Sequence, residues 1–472
     1  MANSNFAEEL LARIGPGGVR IGADVDPRHR HDWTVGMPPG DGLLAVVYPR
    51  NAAEVSTVLR LCQAHRRPVV VQGGLTGLAG GATPVDGCVV LSMERMRAIE
   101  EVDSDAGTMT VQAGVTLQAV QEAADTAGLL FPLDLGARGS CLIGGNLSTN
   151  AGGNRVLRYG MMRDMVLGLE VVLADGTVVT SLNRMIKNNA GYDLKHLFIG
   201  TEGTLGVVTR AVLRLHPKPR SVCTALCAVA DYDAVLRLLR LARERLGGTL
   251  SAFEVMWPEV YRRVETALGR PAPLPHGHGA YVLVEAMGSD QGPDQERFEA
   301  ILQRGFEDGI LADAVLAQSG EQTAAFWTIR DACGDFGAIL SPAVGFDVSI
   351  PVGRIGEFVA LCQDRLTARW PEAESVYFGH VADGNIHIGV KVGGVKVAED
   401  PLPVHAIDLV VYDAVREFRG SISAEHGIGL LKKEFLPHSV SPEALALMRT
   451  VKAALDPNGI LNPGKVIDAA SA

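Results

Sequence analysis

Three glycine-dense stretches crowd into the first half of this 472-residue chain: QGGLTGLAGGATP at 72–84, GSCLIGGNLSTNAGG at 139–153 and GTEGTLG at 200–206. Glycine lets backbone pass close to a ligand or turn tightly, because no Cβ stands in the way. The chain holds 54 glycines, against about 33 at the usual ~7%. Any one stretch would pass for a plain loop. Three in one half, without basic clusters, point to a large ligand threaded along backbone N–H groups, such as a dinucleotide. The first follows an apolar strand, PVVV, and offers Gly73, Gly74 and Gly77 with the Thr76 hydroxyl. No GxGxxG occurs, so the usual dinucleotide fingerprint is absent. GILNPGK at 459–465 lacks the Ser/Thr of a P-loop and the helix that such a loop feeds.

A chain of this length predicts two or three domains. Hydrophobic residues at 47% and charged residues at 21% describe a globular protein. The net charge of −11 argues against nucleic acid or an anionic membrane as main partner. No apolar run approaches the ~18 residues of a membrane span. The opening MANSNFAEELLARIG lacks the pattern of a secretory signal and reads as a short amphipathic helix. Seven scattered cysteines without CxxC predict a reduced, cytoplasmic setting, and ferredoxin-type spacing is missing.

Short β-rich runs alternate with helical segments up to RLHPKPR at 214–220, whose two prolines mark a boundary. From about 221 to 420, longer amphipathic helices alternate with single strands, which predicts helices on one face of an antiparallel sheet.

FGHVADGNIHIGV at 378–390 places two histidines around Asp383-Gly384, a dipeptide that favours a two-residue type I′ hairpin loop. That loop would set His380 directly across from His387, on one face and close enough to share an ion. On this stretch alone, a solvent-facing pair beside an ordinary hairpin serves equally well.

Longer motifs add a resemblance. GGLTGLAGG, PLDLGARGSCLIGGNLSTNAGG, LRYGMMRDMVLGLEVVLADGTVV, NNAGYDLKHLFIGTEGTLGVVTRAVLRLHP, GHVADGNIHI, SAEHGIG and DPNGILNPGK follow one another through nearly the whole chain. In that order they resemble the FAD-linked oxidase superfamily of vanillyl-alcohol oxidase type, in its D-2-hydroxyacid dehydrogenase branch. That branch includes D-2-hydroxyglutarate and D-lactate dehydrogenases and the flavin subunit of glycolate oxidase. The resemblance implies an α+β fold: a two-subdomain FAD-binding domain at 1–218, a cap domain with an antiparallel sheet and flanking helices at 219–424, and a C-terminal segment, 425–472, returning to the FAD domain.

Carried over residue by residue, the resemblance gives flavin contacts at Gly73, Gly74, Leu75, Thr76 and Gly77 in the pyrophosphate loop. It adds Pro132, Ser140, Gly144, Gly145, Ser148, Ala151 and Gly152, then Gly203, Thr204, Gly206 and Val207. The family often has Arg and Asn where this chain has Gln72 and Leu75, so backbone is expected to carry more of the phosphate binding. The first loop has no histidine to attach a flavin, so non-covalent FAD is expected.

The resemblance also implies a divalent metal, Zn or Mn, on His380, His387 and Glu425. His426 is the implied base for the substrate hydroxyl proton. Neighbours on a regular strand point apart, and Gly427 and Gly429 would supply the irregular turn that Glu425 and His426 need. Arg330 matches the family arginine for the substrate carboxylate, a task suited to a planar guanidinium. Asn462 and Lys465 match the C-terminal motif near the flavin, as substrate-side residues.

The pattern departs from 2-hydroxyglutarate dehydrogenases at Gly334, Gly345 and Gly389, where that branch carries Thr, Lys and Asn. Glycine there is expected to leave room for a bulkier or less charged D-2-hydroxy acid. The predicted function is an FAD-dependent, metal-assisted dehydrogenase of a small D-2-hydroxy acid, passing electrons to an electron-transfer flavoprotein or a quinone, with a homodimer as the expected assembly. The alternative is the flavoprotein subunit of a glycolate oxidase-like complex, inactive alone. A flavin-dependent non-redox synthase is a third, weaker alternative.

Overall fold

The structure, a computed structural model, describes residues 2–35, 37–393 and 401–468. The chain divides into two compact units: residues 1–153, 161–218 and 425–472 form the first, and residues 154–160 and 219–424 the second.

The first unit opens with β1 (Val19–Ile21), β2 (Ala45–Val47), β3 (Val69–Gln72) and β4 (Val89–Ser92). They form a sheet in the order β1-β2-β4-β3, parallel between β2 and β4 and between β4 and β3. Parallel strands covered on both faces read as continuous apolar runs, which is what AVV, VVVQ and VVLS show. One face packs Val69, Val89 and Leu91 against Val55, Val58, Leu59 and Cys62 of the helix Ala52–Ala64. The other packs Val46, Val70 and Val90 with Tyr48 and Val25. The helix starts where the Asn51 side chain accepts from Glu54 N at 2.9 Å.

Next come β5 (Ile99–Asp103), β6 (Thr108–Gln112), the two-residue β7 (Leu129–Leu130), β8 (Val166–Val172), β9 (Val178–Ser181), β10 (Val207–Arg214) and β11 (His216–Pro217). Five of them form an antiparallel sheet in the order β5-β6-β10-β8-β9, and β7 pairs with β11. The C-terminal segment then adds to the edge of the first sheet. Val69 N donates to Ile460 O at 2.7 Å, Asn462 N donates to Val69 O at 2.8 Å, and Leu461 bridges Val69 in parallel.

The second unit is built on β12 (Ser221–Val229), β13 (Leu250–Met256), β14 (Ala280–Gly288), β15 (Leu311–Leu316), β16 (Val344–Ser349), β17 (Glu374–Gly379) and β18 (Asn385–Lys391). They form one antiparallel sheet in the order β15-β12-β14-β13-β17-β18-β16. Helices cover both faces, not one as the sequence pattern suggested. On one face Leu283, Met256, Val376 and Phe378 pack under Val260, Tyr261, Phe326 and Ile329. On the other, Phe346 meets Tyr412 edge to face at 5.4 Å. The strands VLVEA, FEVM and VYFG are apolar on both sides for this reason.

Candidate functional site

In the first unit the glycine stretches converge on one groove enclosing about 420 Å³. Gly73, Gly74, Leu75, Thr76 and Gly77 line it, with Gly144, Gly145, Ser148, Ala151 and Gly152 opposite and Gly203, Gly206 and Val207 along the floor. Strand β3 delivers the first loop, and Leu75 takes φ 60°, a left-handed conformation that bends the chain sharply along the groove lining. Gly74 must lack a side chain, because a Cβ there would overlap the Ser140 carbonyl oxygen. At Gly145 a Cβ would meet no protein atom within 4 Å, so its face opens onto the groove.

Three expected contacts lie elsewhere. Ser140 packs behind Gly74 and is exposed. Pro132 is buried away from the lining residues. Thr204 points inward, donating to Thr201 O at 2.7 Å. Lys465 is also off the groove: its side chain is fully buried, and Nζ has no hydrogen-bond partner among the described residues. Burial lowers the Lys465 ammonium to about 8, against the pull of Cys88, Asp32 and Glu202.

The loop is held from behind by Gln72, which the sequence marked only as a departure from the family pattern, and by residues that sequence reading did not single out. Gln72 is completely buried; its Nε2 donates to Ala82 O at 2.8 Å and His29 O at 2.9 Å, tying the two ends of the loop together. His29 in turn joins Gln72 Oε1 (2.6 Å) to the Tyr48 hydroxyl (2.9 Å). Asp32 accepts from Ala82 N at 3.2 Å and Thr34 N at 3.1 Å. Only the chain's return from residue 29 to residue 82 makes these contacts, so no local pattern announces them.

Asn462 does line the groove, with φ 40°. Its Oδ1 accepts from Val71 N at 3.2 Å, and its Nδ2 donates to Glu202 O. Buried Glu202, itself at φ 52°, accepts from Ile428 N at 2.7 Å and Gly429 N at 2.9 Å. Burial raises its carboxyl, while those N–H groups and Lys432 and Lys465 pull it down. This clamp fixes the turn after His426. Gly427 (φ 82°) and Gly429 (φ 51°) make that segment irregular, and Glu425 and His426 both line the groove.

In the second unit, one face of the sheet gathers the remaining candidates. The Asp-Gly loop is longer than expected: β17 ends at Gly379, residues 381–383 form a 3-10 turn, and Asn385 N returns to His380 O at 3.2 Å. His387 therefore opposes Phe378, not His380. The shift is by two residues, which preserves the face, and the two imidazoles still meet, 5.5 Å apart and nearly perpendicular.

His380 Nδ1 lies 2.8 Å from Glu254 Oε1, and Arg330 Nε donates to Glu254 Oε2 at 2.8 Å. Arg330 Nη2 is 3.0 Å from His380 Nε2. Burial works to raise the Glu254 carboxyl, but His380 and Arg330 outweigh it and hold Glu254 at about 2. Arg330 is buried and committed to Glu254, rather than an open guanidinium. Asp347, fully buried, faces His387 across β16–β18 with Oδ1 3.8 Å from Nδ1, and accepts from Asn385 Nδ2 at 2.8 Å. Neither Glu254 nor Asp347 stood out in the sequence, because each is an isolated acid within an apolar strand.

Comparison with known proteins agrees with this architecture. The family described as FAD linked oxidases, C-terminal domain, matches residues 218–466, and an FAD binding domain matches residues 43–181. A probable mitochondrial D-2-hydroxyglutarate dehydrogenase of Oryza sativa subsp. indica is 41% identical over 98% of this chain and 82% of its own length. The mitochondrial D-2-hydroxyglutarate dehydrogenase of Bos taurus is 40% identical over 97% of this chain and 82% of its own. The D-2-hydroxyglutarate dehydrogenase of Xanthomonas citri pv. viticola is 39% identical over 94% of this chain and 93% of its own length. Among solved structures, p-cresol methylhydroxylase with substrate bound superposes with TM-score 0.79 at 18% identity, covering 100% of this chain and 98% of that one. An alkyldihydroxyacetonephosphate synthase gives 0.75 at 16%, over 98% and 84%. The chain belongs to the FAD-linked oxidase family, with the fold of the vanillyl-alcohol oxidase-type flavoproteins.

The glycine-lined groove suits FAD: backbone-rich glycine loops line it, the face of Gly145 is open, and its volume falls in the usual range of ligand sites, roughly 300–1,000 Å³. His380 has Glu254 at Nδ1, the carboxylate partner common for a ligating imidazole, but its Nε2 faces Arg330 Nη2 at 3.0 Å, so it could hold a divalent ion only by releasing Arg330.

Proposed function

We propose that this protein is an FAD-dependent dehydrogenase that oxidises a D-2-hydroxy acid to the 2-oxo acid. The observation that carries the reading is the groove itself, where the glycine loops share one lining with Glu425 and His426. The reaction removes the C2 hydrogen with its electron pair and the hydroxyl hydrogen as a proton. FAD, when bound, is the hydride acceptor. His426 is positioned to take the hydroxyl proton on a ring nitrogen. Gly73–Gly77, Gly144, Gly145 and Gly203 present backbone to the cofactor, and Asn462 braces the groove between Val71 and Glu202.

A divalent ion, Zn or Mn, would stabilise the alkoxide as a Lewis acid. His380 and His387 are its proposed imidazole donors, and Glu425 its third. Arg330 steers the substrate carboxylate while bonded to Glu254. Electrons would pass to an electron-transfer flavoprotein or a quinone. A cytoplasmic homodimer is part of the same proposal. Among the described residues, no helix is long and apolar enough to cross a membrane.

Anaerobic mixing with a panel of D- and L-2-hydroxy acids tests the reading. The flavin bleaches with D enantiomers, and the same sample holds about one divalent ion per chain. A flavin that stays oxidised with every D-2-hydroxy acid overturns it.

A further inference from the structure

The face of the second unit that carries His387 changes character along its strands. At the hairpin end it is polar, with His380, Glu254 and Arg330 bonded together. Across from His387 stands Phe378, rings 5.0 Å apart. One rung further, Gly345, Gly389 and Val376 lie side by side. The room that two adjacent glycines would leave is taken: the ring of Phe336 lies across both. A Cβ on Gly389 would come within 2.8 Å of Phe336 Cε1, and one on Gly345 within 3.2 Å of Cε2. Phe336 also meets Phe378 edge to face at 6.1 Å. It is held there by the short helix Phe336–Ile339, whose start is fixed by Asp335 Oδ1 accepting from Ala338 N at 3.1 Å.

We infer that Phe336 is a specificity-determining residue, closing the substrate side of this face with an apolar wall that selects D-2-hydroxy monocarboxylates with hydrocarbon side chains. This rests on the dehydrogenase reading above. A hydroxy acid is polar at C1 and C2, and those atoms belong at the polar end, so C3 and beyond run toward Phe378 and Phe336. A second carboxylate placed there would be desolvated without a cation to meet it. Among the described residues, Arg330 is bonded to Glu254, Lys391, one rung past Gly389, is paired with Glu374 at 3.3 Å, and Arg263, which donates to Ile339 O at 3.1 Å, is paired with Glu259 and Glu374. A branched alkyl chain instead gains contact with two aromatic rings.

The test is rapid anaerobic flavin reduction by the FAD-loaded protein, with D-lactate, D-2-hydroxy-4-methylpentanoate and D-2-hydroxyglutarate. Perturbation of the oxidised flavin spectrum by 2-oxo-4-methylpentanoate and 2-oxoglutarate serves as a binding readout. The wild-type protein should favour the branched acid over D-2-hydroxyglutarate by at least about tenfold in efficiency, and its 2-oxo acid in binding. Phe336→Lys should move that ratio toward the diacid by more than about tenfold while D-lactate changes far less, and Phe336→Leu should keep the apolar preference. A wild-type preference for D-2-hydroxyglutarate, or a ratio unmoved in Phe336→Lys, overturns the inference. Bleaching by some D-2-hydroxy acid then still upholds the dehydrogenase reading, whereas no bleaching at all removes both.

Discussion

His380 and Glu254, 126 residues apart in the chain, meet at 2.8 Å between Nδ1 and Oε1 in the buried face of the second unit. The second carboxylate oxygen takes Arg330 Nε, so one acid anchors both an imidazole and a guanidinium. Paired in this way, the buried charges are tolerable; with one removed, the remainder is costly.

Glu254→Gln should therefore lower stability by roughly 3–5 kcal/mol in urea unfolding, because Arg330 stays buried and charged. The same variant should weaken divalent metal binding about 10–100-fold, since the group orienting His380 is lost. His380→Asn and His387→Asn should abolish bound metal outright by elemental analysis. Full metal content in either histidine variant would remove the metal assignment.

His426→Asn should keep its FAD and slow anaerobic flavin reduction by about 10²–10⁴-fold, the usual contribution of a general base. A rate within about threefold of wild type would dismiss His426 from proton transfer.

Gly145 separates folding from cofactor binding. A Cβ there meets no atom within 4 Å beyond its chain neighbours and its own helix backbone, so Gly145→Leu should leave the stability of the FAD-free protein unchanged or slightly raised, by up to about 1 kcal/mol. Flavin content after purification should collapse. Retained stoichiometric FAD would place the cofactor elsewhere.

Lys465 gives a pH signature. Its ammonium is buried and lowered to about 8 from an ordinary 10.5, so the folded state sheds the proton before the unfolded state does. Below about 8 both states are charged and the folded one bears the full burial cost. That cost is relieved as pH rises from about 8 toward 10.5, where the unfolded chain binds more protons. The difference in unfolding free energy between Lys465→Met and wild type should be largest near neutral pH, on the order of 3 kcal/mol in favour of the variant, and shrink across that window. A pH-independent difference would refute the assignment.

Legibility in the sequence followed the range of the interactions. The glycine loops are local, and their expected contacts line the groove except Ser140, packed behind Gly74, and Thr204, turned inward onto Thr201. The Asp383-Gly384 turn was read with the wrong length but the right parity, because Gly384 (φ 93°) ends a 3-10 turn instead of sitting in a two-residue loop. Glu254, Asp347 and Phe336 escaped notice, and Gln72 was noted without its role, since their partners come from distant parts of the chain. The glycines at 345 and 389 were legible as missing side chains; the ring that fills their space was not.

The edge of β3 is completed by residues 460–462, which the ribosome delivers only after the whole second unit has been made. Until then Val69 and Val71 lack their outer partners, and Glu202, which clamps the turn after His426, lacks its bond from Asn462. Cofactor capture thus waits for residues 460–462: a nascent chain stalled anywhere before them carries an unfinished cradle.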